Sequence, residues 1–513
     1  MTEQLQEQPV LEKLATGIPG FDSLAVGGLT KGRATLLSGT AGSAKTVFAA
    51  QFLAEGIRGP GEAGVFITFE ESPADIRRNM LGFGWDIAKW EEEGKWAFVD
   101  ASPQPAEEAA IEAGKYDLGA LMARIENAVR ETDAKRVSVD SLGAIFTQFA
   151  DAHMVRAELF RIATVLKQLN VTSILTAERA EEFGPISRYG VEEFVADNVI
   201  VLRNALEAEK RRRTVEILKF RGTNHQKGEY PFTVMPGQGI IVIPLSAIEL
   251  SQKSSDNRVT SGSPEMDKMC GGGFFRDSVI LVSGATGCGK TLMVTEFANG
   301  GAAMGEKCLI FAFEESRGQL FRNASGWGVD FEKWENEGRL KVVCAYPESA
   351  GLEDHLINMK AVIDEFKPNR IAVDSLSALE RVSTIKGFRE FVISLTSFIK
   401  HQEVAGLFTA VTPTLMGGPS VTETHISTIT DSIILLRYVE MFGEVHRGIT
   451  VLKMRGSAHD KDIREVTIDG SGMHIGEAFS GVTGILSGMP MHVVAGEAER
   501  LGEMFGAEVA VRG

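Results

Sequence analysis

The chain has 513 residues, 44% of them hydrophobic and 24% charged, with 53 Lys and Arg against 69 Asp and Glu, a net charge of −16. That hydrophobic share fills ordinary globular cores, whereas the acidic balance argues against tight non-specific nucleic-acid binding, which needs basic side chains to displace phosphate counterions. No stretch is apolar and long enough to span a bilayer, and the polar, acidic start Met1 to Lys13 does not read as a signal segment, so a soluble protein of the cytoplasm is expected.

Taken in order, the first apolar run is Ala34–Ser38, and it leads into Gly39, Thr40, Ala41, Gly42, Ser43, Ala44, Lys45 and Thr46. A buried run, then glycines, then Lys-Thr predicts a phosphate-binding loop that opens a helix. Backbone N–H groups curl around the phosphates, the Lys reaches the outer ones and the Thr hydroxyl holds Mg²⁺. Ala44 stands where glycine usually precedes the lysine; if that position needs a positive φ, alanine costs roughly 1–2 kcal/mol there. The next runs are Val65–Phe69, ending in Glu70 and Glu71, and Arg136–Val139, ending in Asp140. Asp140 suits the Mg²⁺ shell beside the loop. A glutamate at Glu70 or Glu71 can take a proton from water or another hydroxyl attacking a γ-phosphate; two solvated carboxylates are the plainer alternative.

Ser173–Leu175 and Asn198–Leu202 complete the first set of runs. The basic cluster Lys210–Arg213 follows a predicted strand and suits solvent or a subunit interface. Lys219, Phe220 and Arg221 then put two cations at alternate positions on one strand face, with His225 beyond. Such cations suit a neighbouring subunit's triphosphate or, alternatively, surface carboxylates.

From about residue 248 the chain repeats. Gly284, Ala285, Thr286, Gly287, Cys288, Gly289, Lys290 and Thr291 form a second phosphate loop, complete in its pattern, 245 positions after the first. Asp374 matches Asp140 and Lys453 matches Lys219 at an offset of 234; Glu314 and Glu315 follow a second Phe-rich run. Recurrence of Phe-Glu-Glu-Ser after both loops favours the catalytic reading of both pairs, and Thr46, Asp140, Thr291, Glu314 and Asp374 make up the expected Mg²⁺ set. Lys453, Met454, Arg455 and His459 repeat the cationic element. The runs Val279–Ser283, Leu309–Phe313, Arg370–Val373, Gly406–Thr409 and Ser432–Leu436 predict a second sheet. Two α/β domains, 1–247 and 248–513, are therefore expected, each a mostly parallel sheet flanked by helices, joined by the polar stretch Leu245–Asn257. Cys270, Cys288, Cys308 and Cys344 all lie in the second half without metal-type spacing, which fits a reducing compartment.

The halves differ before the last core run. Aligned on Asp197 and Asp431, Glu193 and Phe194 stand opposite Ser427 and Thr428. A hydroxyl near a γ-phosphate can receive it; the other reading is that Ser and Thr cap a turn.

With both loops and the sequences at 190–199, 270–275, 346–355 and 425–431 in view, the chain resembles the KaiC family of circadian clock ATPases over residues 14–490. The resemblance implies tandem RecA-like P-loop NTPase domains in a double-ringed homo-hexamer, with ATP and Mg²⁺ between neighbouring subunits. It also implies slow ATP hydrolysis in the first ring and autokinase and autophosphatase activity in the second. By matching motifs, Glu70 and Glu314 become the leading general bases, Ser427 and Thr428 the phosphoacceptors, and Thr422 an accessory hydroxyl. A KaiB-like partner at the first domain is implied, while the tail after Val494 differs from the cyanobacterial tail that recruits the activator KaiA. Two other readings of the sequence stand beside this one. A RecA- or DnaB-like DNA motor would need basic pore loops, and a non-hydrolysing scaffold would have no use for both Glu pairs.

Overall fold

The computed structural model describes residues 11–102, 118–143, 152–187, 190, 192–207, 210–243, 254–412, 426, 428–441, 443–480, 482–486 and 491–492. The chain divides into two units, Met1–Ile248 and Glu249–Gly513.

In the first unit β1 (Ala34–Gly39) leads through the loop to α1 (Lys45–Arg58), then β2 (Gly64–Thr68), β3 (Trp96–Asp100), α2 (Leu118–Thr132) and β4 (Arg136–Asp140). There follow α3 (Ala152–Gln168), β5 (Thr172–Glu178), β6 (Asn198–Glu207), β7 (Lys210–Phe220), β8 (Glu229–Met235) and β9 (Gly239–Val242). The nine strands lie in the order β3-β2-β4-β5-β1-β6-β7-β8-β9. Pairing from β3 to β6 is parallel, and β7, β8 and β9 close the sheet antiparallel. Crossover helices cover both faces, so the parallel strands are apolar on both sides. Alternation then divides the core: Leu37, Phe66, Ile174 and Ile200 pack on the face with α1, while Leu36, Val65, Ile67, Leu175 and Val201 pack on the other.

The second unit repeats this plan with β10 (Val279–Gly284), α4 (Lys290–Ala303), β11 (Cys308–Ala312), β12 (Leu340–Cys344), α5 (Leu352–Phe366) and β13 (Arg370–Asp374). It continues with α6 (Ile385–His401), β14 (Ala405–Val411), β15 (Ser432–Met441), β16 (Glu444–Met454), β17 (Arg464–Asp469) and β18 (Gly472–Ala478). The order β12-β11-β13-β14-β10-β15-β16-β17-β18 is the same topology. Each sheet is thus mixed but mostly parallel, as the periodicity predicts.

Each unit anchors its loop helix with a buried guanidinium. Arg136 donates to Phe52 O and Ala15 O and pairs with Glu62 at 2.8 Å. Arg370 donates to Phe297 O and Thr260 O and pairs with Glu306 at 2.5 Å. Glycine is obligatory on the facing helix turns: a Cβ on Gly56 would lie 2.4 Å from Arg136 Nε, and one on Gly301 would lie 2.6 Å from Arg370 Cδ.

One local expectation is borne out and another needs correcting. Lys210–Arg213 follows β6 as expected and itself opens β7, where the β6–β7 hairpin sets Lys210 opposite Glu207 and brings Arg212 to 3.8 Å from that carboxylate. Arg221 and Arg455 fall just past their strands rather than on them, since Gly222 (φ 73°) and Gly456 (φ 71°) turn the chain immediately afterwards.

Candidate functional site

Both loops sit at the carboxyl ends of the parallel strands, where open α/β sheets gather ligands. The helix after each has no side-chain N-cap, so its first N–H groups are left to a bound anion. The helix is entered through a left-handed residue, Ala44 at φ 71° or Gly289 at φ 111°. The positive φ that would penalise alanine is therefore present. The two positions differ in their surroundings. A Cβ on Gly289 would press to 2.9 Å from Met473 Cε and 3.1 Å from Ile468 Cδ1. By strand pairing, the equivalent residues in the first unit are Ile240, shorter in reach than Met473, and Val234, smaller than Ile468, and the Ala44 methyl packs against that core.

Lys290 is buried and donates to Gly284 O at 2.9 Å and Ala285 O at 2.7 Å; Lys45, also buried, donates to Thr40 O at 2.9 Å. Burial pushes the Lys45 ammonium down, opposed by Glu178, Asp140, Glu70 and Glu182. Thr291 Oγ1 donates to Asp374 Oδ2 at 2.7 Å, and Thr409 Oγ1 holds the other oxygen. In the first unit Thr176 holds Asp140 in the same way, while Thr46 lies half-buried on the first turn of α1. Burial raises the Asp374 carboxyl, against the hydrogen bonds from Thr409 and Thr291. A hydroxyl and a carboxylate side by side fit Mg²⁺, which takes few protein oxygens and keeps phosphate and water ligands. Among the described residues no group of three or more His, Cys, Asp or Glu is placed to hold a metal by itself.

The glutamate pairs end up in unlike settings. Glu70 accepts from Ser141 Oγ at 3.2 Å, and partial burial, then Glu178, push its pKa up. Glu71 is also raised by burial and accepts from Asn79. Glu314 is exposed and ion-paired with Arg381 at 2.8 Å, while Glu315 is raised by burial and by nearby Asp374. Cys288 is buried, as a packing residue would be, and a Cβ on Gly284 would lie 2.6 Å from its sulfur.

The cationic elements grip the segments ahead of β6 and β15. Lys219 donates to Glu193 O at 2.9 Å and Ala196 O at 2.8 Å, and Arg221 lies 3.6 Å from Asp197. Lys453 donates to Thr430 O at 2.7 Å; Arg455 donates to Thr428 O at 2.8 Å and lies 3.8 Å from Asp431. Phe220 meets the His225 ring edge-on, Met454 is buried, and His459 is half-buried. Thr428 is exposed, while Ser427, Thr422 and the tail after Val494 lie outside the described residues.

Several site residues escaped the sequence patterns. Glu182 accepts from Thr40 Oγ1 and from Asn204 N, placing a carboxylate on the first loop. Arg213 of the basic cluster reaches Gly42 O at 3.4 Å. On the second loop Tyr438 donates to Thr286 O at 3.1 Å, with Arg447 over its ring. Glu182 and Tyr438 are single residues with no recurring motif, and the spacing of the Lys210–Arg213 cluster does not point to the loop.

A family model described as ATPase: KaiC matches residues 14–247 and again 259–480. A circadian clock protein KaiC3 of Synechocystis sp. (strain ATCC 27184 / PCC 6803 / Kazusa) is 68% identical over 504 residues, 98% of this chain and 99% of that protein. The circadian clock oscillator proteins KaiC of Thermostichus vulcanus and Thermosynechococcus vestitus are each 54% identical over 496 residues, 97% of this chain and 95% of theirs. Among the described residues no helix is long and apolar enough to cross a membrane.

Proposed function

The chain belongs to the KaiC family of ATPases, and from that premise we propose that it is the self-phosphorylating and self-dephosphorylating core of a circadian clock or timer, a double-ring hexamer with ATP held between neighbouring subunits. The observation that carries this reading is the contrast between two segments that occupy matching positions ahead of β6 and β15. Cations grip both from the same strand ends, yet one offers Glu193 and Phe194 and the other Ser427 and Thr428.

In the first unit water attacks the γ-phosphorus, with Glu70 and Glu71 as the proton acceptors. In the second unit the Ser427 or Thr428 hydroxyl of one subunit attacks the γ-phosphorus of the ATP held by Lys290 of its neighbour. The new oxygen–phosphorus bond forms as the bond to the β–γ bridging oxygen breaks. ADP leaves with that electron pair, and the hydroxyl proton passes to Glu314, with Glu315 beside it. Thr46 with Asp140, and Thr291 with Asp374 and Glu314, would hold Mg²⁺, which spreads the charge of the phosphate oxygens when bound. Lys219, Arg221, Lys453 and Arg455 would meet a neighbour's triphosphate. A KaiB-like protein is the expected partner of the first domain.

Mixing a Lys290→Ala chain with a Ser427→Ala/Thr428→Ala chain tests the transfer. Phosphate should appear on the Lys290→Ala chain in mixed hexamers; if such rings form and that chain stays unmodified, transfer between subunits is wrong. The acidic chain and its clock relatives weigh against a DNA motor, which would announce itself by DNA-stimulated ADP release.

A further inference from the structure

Strand register, rather than residue numbering, shows which residues of the two sites correspond. In the first unit Gly39 pairs with Glu178 at the end of β5; in the second, Gly284 pairs with Val411 at the end of β14. Thr176 and Thr409, two residues earlier, hold Asp140 and Asp374 alike, which fixes the correspondence. A carboxylate in one site therefore stands where an isopropyl group stands in the other.

A second difference accompanies the first. Gly143 follows Asp140 by three residues, and a Cβ there would come to 3.9 Å from Glu178 Cγ and 3.5 Å from Ser141 Oγ. Its counterpart is Ser377, whose Oγ accepts from Val411 N at 2.9 Å. The first unit thus leaves room beside Glu178, whereas the second ties down the backbone of the valine. Ser141 in turn donates to Glu70 at 3.2 Å, so Glu70, Ser141 and Glu178 are neighbours on the approach to Lys45.

We infer that Glu178 is a positioning residue that fits the first site to water, and that Val411 fits the second to a protein hydroxyl. This rests on the proposed division between a hydrolysing and a transferring unit. Water carries two O–H bonds. In the first unit Glu70 accepts the proton that leaves, and Glu178 accepts a hydrogen bond from the other O–H, aiming a lone pair at the γ-phosphorus. Water's oxygen bonds to that phosphorus as the bond to the β–γ bridging oxygen breaks; ADP leaves with the electron pair and inorganic phosphate is released. A Ser or Thr acceptor carries one O–H and one carbon, which matches a wall of one carboxylate and one apolar side chain. Charge supports the grouping, since Glu178 raises the Glu70 carboxyl and stabilises the Lys45 ammonium.

The test uses the full chain carrying Lys290→Ala, so that ADP comes from the first unit alone. Against that parent, Glu178→Gln and Glu178→Val should lower kcat by about tenfold or more while KM moves less than about twofold, and Glu178→Asp should recover part of the loss. Native mass with ATP verifies that each variant keeps the parent's assembly, and the near-isosteric Gln variant guards against misfolding. A Gln variant with the parental kcat, or one that raises KM alone, overturns the inference. A silent Lys290→Ala parent overturns the hydrolysis reading itself and this inference with it. In the otherwise unaltered chain, Val411→Glu should shift the second unit's γ-phosphate from protein towards water, lowering the phosphate per chain at steady state. An unchanged partition would count against the role of Val411.

Discussion

The two units share a topology, a buried arginine and a phosphate loop, and several of their differences fall on or beside the loops and on the segments the cationic elements hold. Ala44 replaces Gly289, Asn204 replaces Tyr438, Glu178 replaces Val411, and Glu193 with Phe194 replaces Ser427 with Thr428. Scaffold residues are held by packing on every side, so a change there costs stability. Residues lining an open site meet solvent and substrate, so the same fold can serve a different acceptor.

The comparison breaks most decisively if the shared anchor is not shared. Arg136→Met and Arg370→Met should each destabilise their own unit by about 3 kcal/mol, because each leaves several buried carbonyls without a donor; Glu62 also loses its partner, whereas Glu306 keeps Arg276. Denaturant unfolding measures this, and a loss confined to one unit would show that the arginines serve different ends. Next, Lys290→Ala should reduce phosphate on the protein by about a hundredfold or more while ADP release from the first unit continues. Equal loss of both would dissolve the division of labour.

A pH profile sharpens the contrast further. Glu70 and Glu71 lie above the usual carboxylate range, chiefly through burial. The acid limb of ADP release should therefore fall at a pH above 4.5, the value of an unperturbed glutamate. The sign for stability follows: a raised carboxyl contributes stability below its unfolded pKa and loses it as pH rises through the folded value. Glu70→Gln should thus gain on the parent as pH increases, and a gap that shrinks instead would contradict the raised pKa. The smallest effect concerns the left-handed residue. Gly289→Ala should cost about 2 kcal/mol or more, from its conformation and the contact with Met473. Ala44→Gly should change stability by less than about 1 kcal/mol, because backbone relief is offset by a lost methyl and a more flexible unfolded chain.

Much of the fold was legible because buried parallel strands are apolar on both faces and each loop announces its strand and helix. Lys45, Lys290 and Thr291 were legible for the same reason. Glu178 was hidden by a slip of register. The stretch from Asp140 to Thr172 is one residue longer than that from Asp374 to Ala405, and β5 to Asp197 is one residue shorter than β14 to Asp431. Alignment at a constant offset of 234 sets Glu178 against Thr412, whereas hydrogen-bonded pairing sets it against Val411. Asn204 and Tyr438 were missed because one polar residue on a strand carries no periodic signal. Ser427 and Thr428 were noticed by contrast between the halves, which needs no structure.

Strand β15 joins two places that differ in kind. At its foot, Asp431 accepts from Val279 N and from Lys400, with Arg455 close by; seven residues on, Tyr438 touches the second phosphate loop. Extended chain rises about 3.3 Å per residue, so these points lie roughly 23 Å apart along a strand paired with β16 throughout, with one irregularity at Ile433/Ile434, and with β10 over Ser432–Leu436. The two ladders restrain it against bending. Nearly two new negative charges on Thr428 would compete with Asp431 for the Arg455 guanidinium, and a shift at that end would be transmitted as displacement rather than absorbed as bending. The nucleotide would then sense the modification mechanically, through a length of sheet whose own sequence never changes.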